Sequence, residues 1–145
     1  MFAPSSCGGP KLLCVDLETD RIVRKIPSNV VPADGCPNDV RLDPRRGAEG
    51  MAFITDSGGD NGIVVVDLAT GRSWRRLAGD PSALPDPDFL PVIDGRPFMN
   101  RPAGAAPTHY EVGSDGIALS DDRGPGVQAH GGRPGERRQG PALRR

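Results

Sequence analysis

Two short stretches carry side chains whose types and spacing could do chemistry. In GCPNDVRLDP, residues 35–44, a Cys-Pro turn leads into adjacent Asn38 and Asp39, after which Val40 and Leu42 alternate with Arg41 and Asp43. In GSDGIALSDD, residues 113–122, Ser114 and Asp115 stand at the mouth of a short apolar run. Amide and carboxylate oxygens side by side suit a hard cation such as Ca²⁺ or Mg²⁺, or the polar groups of a small ligand. Asn38, Asp39 and Asp115 are therefore the candidate ligand-binding residues, and Asn38 and Asp115 the candidate metal ligands. The same residues have a plainer use. Asn and Asp ahead of a strand cap turns by accepting hydrogen bonds from nearby backbone N–H groups. Asp16 and Asp67, in a repeated VDL motif, read as turn residues of that kind. For Asn38 and Asp115 both roles stand open. His109, next to Tyr110, has no nucleophile or paired acid near it in sequence and reads as a loop residue rather than a general base. No catalytic residue is assigned.

A repeat organises the elements that must position these groups. VDLETDRIVRKI at 15–26 matches VDLATGRSWRRL at 66–77, with six of twelve positions identical and a period of 51 residues. In both copies an apolar strand (KLLCVDL, GIVVVDL) meets a tight turn (ETD, ATG), and a polar, Arg-bearing strand leads away. That pattern predicts a β-hairpin. Trp74 and Arg75 fall on its outer strand and read as surface packing. Between the copies, NDVRLD at 38–43 alternates, GMAFITDSG at 50–58 has an apolar centre, and SGGDNG at 57–62 is rich in turn formers. Four antiparallel strands in about 40 residues make one blade of a β-propeller. On this reading residues 11–26 are the last two strands of the preceding blade, and GSDGIALS opens the next one. Innermost strands line the central channel of such a ring. PNDV and GSDG, at equivalent places in successive blades, then face one axial site.

Composition agrees with an all-β chain short of large core pieces. Gly and Pro together make about a quarter of the 145 residues, and only six are aromatic. Residues 80–112 interrupt the repeat with seven prolines and little periodicity. They read as a long inter-blade loop, with Phe89, Leu90, Val92, Ile93, Phe98 and Met99 as apolar anchors. Such a loop either covers a blade edge or forms a lid over the central opening. Cys7, Cys14 and Cys36 form no CxxC pair. Cys14 reads as a small buried residue, a Cys7–Cys36 bridge is open, and no spacing supports zinc. The start of the chain has neither the basic region nor the apolar core of a signal peptide.

The net charge of −1 hides a split: residues 1–122 hold 12 Lys/Arg against 18 Asp/Glu, while residues 123–145 hold six Arg and one Glu. Fifteen of those last 23 residues are Gly, Arg or Pro. The expectation is a partial propeller over 1–122 followed by a disordered basic tail at 123–145. A frameshift in a GC-rich gene would also produce such a tail. It lacks aromatics for stacking on bases, so nucleic acid is not an expected partner, nor is a membrane.

The segments GGPKLLCVDLETDRIVRKI, GCPNDVRLDP, AFITDSGGDNGIVVVDLATGRSWRRL, VIDGRPF and GSDGIALS, in that order, resemble the major royal jelly protein/yellow family across about residues 8–122. The resemblance implies a six-bladed β-propeller, usually exported, of which this chain holds about one complete blade and parts of two neighbours. The family's bacterial members often carry names related to dopachrome tautomerase; insect members convert dopachrome or bind biogenic amines. The start of the strands also resembles gluconolactonase-type propellers, where Asn and Asp hold a divalent metal that activates water or polarises substrate. The implied function of the parent ring is to bind or act on a small cyclic or aromatic molecule in its channel, in an extracellular or periplasmic setting. A non-catalytic amine-binding protein is the alternative, and this piece by itself is expected to be inactive.

Overall fold

A computed structural model describes residues 9–120 and 127–130. All regular structure among them is β. At the centre, β3 (Pro37–Asp43), β4 (Met51–Asp56), β5 (Gly62–Asp67) and β6 (Ser73–Arg76) form one antiparallel sheet in sequence order. That is the meander of a propeller blade. β1 (Lys11–Asp16) and β2 (Arg21–Pro27) pair beside it as a separate hairpin, and β11 (Gly116–Leu119) lies against β3 on the other side.

The repeat explains the hairpins. β1 becomes β5 when 51 is added to each residue number. Asp16 Oδ1 accepts from the N–H groups of Glu18 and Thr19, both at 2.9 Å. Asp67 Oδ1 accepts likewise from Ala69 at 2.9 Å and Thr70 at 3.2 Å. These bonds, that from Thr19 first, hold the Asp16 carboxyl below the usual range. Of the two unlike pairs at the turn, Glu18 against Ala69 and Asp20 against Gly71, the second is conformationally alike: φ is 53° and 75°. Asp is among the few side-chain residues that tolerate this left-handed region.

β5, GIVVVD, is buried along both faces, as a strand sandwiched between neighbouring blades must be. On one face Ala52, Val64 and Val66 pack with Ile26 of the preceding hairpin. On the other, Phe53, Ile63 and Val65 pack with Ile117 of β11, and half-buried Trp74 leans on that cluster. The blade therefore has a core on each side.

Asp43 closes the turn from β3 to β4. It accepts from the Arg45 side chain at 2.9 Å and backbone at 3.0 Å, and from Arg46 at 3.1 Å. The Arg45 contact foremost lowers its pKa to about 2. A depressed carboxyl contributes stability above its unfolded value near 3.9 and loses it as pH falls through the folded value. Asp43→Asn should therefore flatten the fall in melting temperature between about pH 4 and pH 2. An acid-melting series with the same slope as the parent would remove Asp43 from this role.

Two expectations need correction. The chain beyond Arg123 is not strandless: Val127–His130 forms β12, antiparallel to β11. Its register repeats the blade, since Val40↔Ile54 and Asp43↔Met51 become Gly116↔His130 and Leu119↔Val127 on adding 76. The other residues of 123–145, and Cys7, lie outside the described residues. Within 80–112, two short hairpins occur, β7 (Val92–Ile93) with β8 (Arg96–Pro97) and β9 (Met99–Asn100) with β10 (Thr108–His109). Val92, Ile93 and Phe98 are exposed rather than anchoring; Phe98 instead meets Tyr110 edge-on at 4.8 Å. The buried anchor is Ala83, whose carbonyl accepts from Ser114 N at 2.9 Å.

Candidate functional site

The start of β3 is bulged. Pro37 pairs with Asp56 and Val40 with Ile54, so Asn38 and Asp39 together oppose Thr55 alone. An extra residue bends the strand and re-aims its side chains. The buried Thr55 hydroxyl locks the bulge: it accepts from Asp39 N at 3.0 Å and donates to the Asp115 carbonyl at 2.5 Å. Ser57 Oγ donates to the Ser114 carbonyl at 2.5 Å. The start of β11 is thereby tied to the end of β4.

This brings the sequence candidates together. Asn38 Nδ2 donates to Asp115 Oδ1, and also reaches Ser57 Oγ at 3.3 Å. Both Asn38 and Asp115 are exposed, so the pair faces solvent. Asp39 is placed differently. Its Oδ2 accepts from Ile117 N at 3.2 Å, and its Oδ1 from Val40 N at 2.8 Å and Arg41 at 2.7 Å. The Ile117 N–H is the main cause of its lowered pKa. Asp39 is a clasp between successive blades, and it sets the spacing at which Asn38 meets Asp115.

Behind the bulge lies a group that sequence reading placed at the surface. Arg75 is largely buried and pairs with fully buried Asp56 at 2.5 Å. It also donates to the carbonyls of Val30 at 3.3 Å and Asn61 at 2.5 Å. The second Asp56 oxygen accepts from Cys36 N at 2.6 Å. This network fixes residues 30–36, which lead into the bulge. The identity of Arg24 and Arg75 in the repeat was the available signal. Arg24, at the same place in the preceding hairpin, caps the carbonyls of Leu68 and Ala69. Both guanidinium groups donate to backbone carbonyls and also meet a carboxylate, Asp56 for Arg75 and Glu49 for Arg24.

The other candidates stay apart. His109 is exposed on β10. Cys14 and Cys36 are free thiols among the described residues, and the Cys7–Cys36 pairing involves Cys7, which lies outside them. Asn38 and Asp115 offer oxygens of the right kind for Ca²⁺ or Mg²⁺, but two side chains are far short of the six to eight ligands Ca²⁺ takes. Among the described residues no group of three or more His, Cys, Asp or Glu could hold a metal. By themselves these residues do not form a metal shell, and no chemical step is derived through one.

What the arrangement can do is present a carboxylate and an amide, side by side, to solvent at the entries of β3 and β11. A meander of four strands, flanked by a hairpin and a half-blade in matching register, is a propeller segment. The family model described as major royal jelly protein matches residues 3–118. No curated protein matches the chain. With most of its length covered by that match and its blade architecture in agreement, this chain belongs to the major royal jelly protein family.

Proposed function

We propose that Asn38 and Asp115 form part of a binding site for a small cyclic or aromatic molecule in the propeller channel, and that the molecule carries an amine. The observation behind this reading is the Asn38–Asp115 contact, made on solvent-facing side chains of successive blades. A carboxylate takes an ammonium through a charge-assisted hydrogen bond, and residues 1–122 are acidic on balance. The remaining blades of the ring complete the site. An exported setting belongs to the same proposal; no helix among the described residues is long and apolar enough to cross a membrane.

Isothermal titration of tyramine into the protein tests it, with phenol as the uncharged control. Asp115→Ala should weaken tyramine about tenfold or more, the worth of a hydrogen bond to a charged group, and leave the melting temperature nearly unchanged. If Asn38 and Asp115 are turn caps instead, Ala at either position costs about 0.5–2 kcal/mol of stability and leaves binding alone. That outcome rejects the site.

A second reading is catalysis on a cyclic substrate, tautomerase- or lactonase-like, with a divalent cation. The same adjacent amide and carboxylate oxygens favour it, further ligands coming from other blades. Equilibrium dialysis against Ca²⁺ separates the two. Stoichiometric binding abolished by Asp115→Ala supports the metal reading, and no binding leaves the amine reading.

A further inference from the structure

Four bonds in the chain join an Asp or Asn to a glycine: Asp34–Gly35, Asn61–Gly62, Asp94–Gly95 and Asp115–Gly116. Such pairs are chemically labile. The glycine nitrogen can attack the side-chain carbonyl carbon of the residue before it, and glycine has no Cβ to hinder the approach. The attack needs a backbone free to swing, so the fold decides which of the four bonds reacts. Three of them are held. Gly35 N donates to the Pro32 carbonyl at 3.0 Å, and Val31 fills the space beside its Cα. Asn61 is buried, its N–H donates to the Gly58 carbonyl at 2.9 Å and its Nδ2 to the Gly59 carbonyl at 3.0 Å, and Gly62 opens the buried β5. Asp115 accepts from Asn38 at its carboxylate and from Thr55 at its carbonyl, and Gly116 is paired in β11. Asp94–Gly95 differs from all three. It is the two-residue turn between β7 and β8, with φ of 50° and 72°, the type I′ pattern. The ladder pairs Ile93 with Arg96 and leaves both turn residues outside it. Both are exposed, and a Cβ at Gly95 would meet nothing within 4 Å. Each strand of this hairpin is two residues long, and Val92 and Ile93 are 62% and 54% exposed, so opening it uncovers little further apolar surface. A two-stranded hairpin without a packed face is marginal, and its opening lies at the low end of the range of local unfolding free energies.

We infer that Asp94–Gly95 is a site of spontaneous isoaspartate formation, the bond of the four that the fold leaves free to react. The Gly95 nitrogen bonds to Cγ of Asp94 in its carboxylic acid form. The Cγ–OH bond breaks, and the hydroxyl leaves with the amide proton as one water, giving a five-membered succinimide. Water then adds to one of the two ring carbonyls. Addition at Cγ restores aspartate. Addition at the main-chain carbonyl carbon of Asp94 leaves the chain running through Cβ and Cγ, which is isoaspartate. Nothing but water is released and taken up. The product carries one more carbon in the backbone of the turn, so the tight I′ connection is lost and Ile93 no longer meets Arg96 in register. Asp34 and Asp115 are spared, and the Asn38–Asp115 pair with them.

The test is peptide mapping of the unsubstituted chain after ageing at body temperature in mildly acidic buffer, with electron-transfer fragmentation to tell isoaspartate from aspartate. Isoaspartate at 94 should exceed that at 34 and at 115 by about tenfold or more, because only the hairpin opens readily. A parallel sample in guanidinium chloride, where the fold is gone, should age at comparable rates at all three Asp–Gly bonds. Asp94→Asn keeps a residue suited to the I′ turn and should lose ammonia at 94, passing through the same succinimide to the same two products. Comparable isoaspartate at 34, 94 and 115 in native buffer overturns the inference. So does a dominance of 94 that survives in guanidinium chloride, since the fold is then not its cause, and so does an Asp94→Asn chain that keeps its ammonia.

Discussion

Arg75→Ala should lower stability by about 3–5 kcal/mol, the usual cost of removing one partner of a buried ion pair. Asp56 is fully buried, so the variant strands a carboxylate without its cation. The substitution also leaves the Val30 and Asn61 carbonyls without their Arg75 donors. The loss is read as a fall in the urea midpoint at unchanged slope. Asp56→Ala with Arg75→Ala should cost clearly less than the two single changes added, because neither charge is then left alone. Part of the cost remains, since Cys36 N–H still loses its acceptor. A loss below about 1 kcal/mol for Arg75→Ala, the range of exposed pairs, would show the pair to be solvated.

Gly58→Ala should disrupt the approach to the bulge. A Cβ at Gly58 would overlap the Asp34 carbonyl oxygen and sit 2.9 Å from Cys36 N and 3.1 Å from Gly35 C. All three are backbone atoms, so no side chain can rotate away. Overpacking of this kind costs about 1–3 kcal/mol and shifts the backbone. The displaced segment, 34–36, leads directly to Asn38. Ligand affinity and melting temperature should therefore fall together in this variant, in contrast to Asp115→Ala. Gly79→Ala is the control for glycine replacement as such: its Cβ meets nothing within 4 Å, although its φ of 68° adds strain. Gly58 has no positive φ to strain, so a loss at 58 below about 1 kcal/mol would show that the close approach is relieved at little cost.

Much of this architecture was written in local pattern. The 51-residue repeat carried the hairpins, because an apolar strand, an Asp that bonds its own turn and a left-handed residue at 20 or 71 are all short-range features. They marked β1, β2, β5 and β6 without knowledge of any partner. The equivalence of PNDV and GSDG was legible for the same reason, and in the structure Asn38 and Asp115 touch. Tertiary structure alone decided what each polar group was spent on. Asp39 and Asn38 are neighbours of similar chemistry, yet a bulge opposite Thr55 turns Asp39 onto the Ile117 N–H and leaves Asn38 facing solvent. Arg75 reads as an outer-strand surface residue until Asp56, two strands away, is brought beneath it. Val127–His130 alternates over only four residues inside a Gly-, Arg- and Pro-rich stretch, too short a pattern to announce a strand, and it pairs because β11 offers an edge in the register that β3 offers to β4. Strand and turn propensity act over a few residues and are visible in order along the chain. Burial, pairing and the fate of a charge depend on which residue lies across the sheet, and only the folded arrangement determines that.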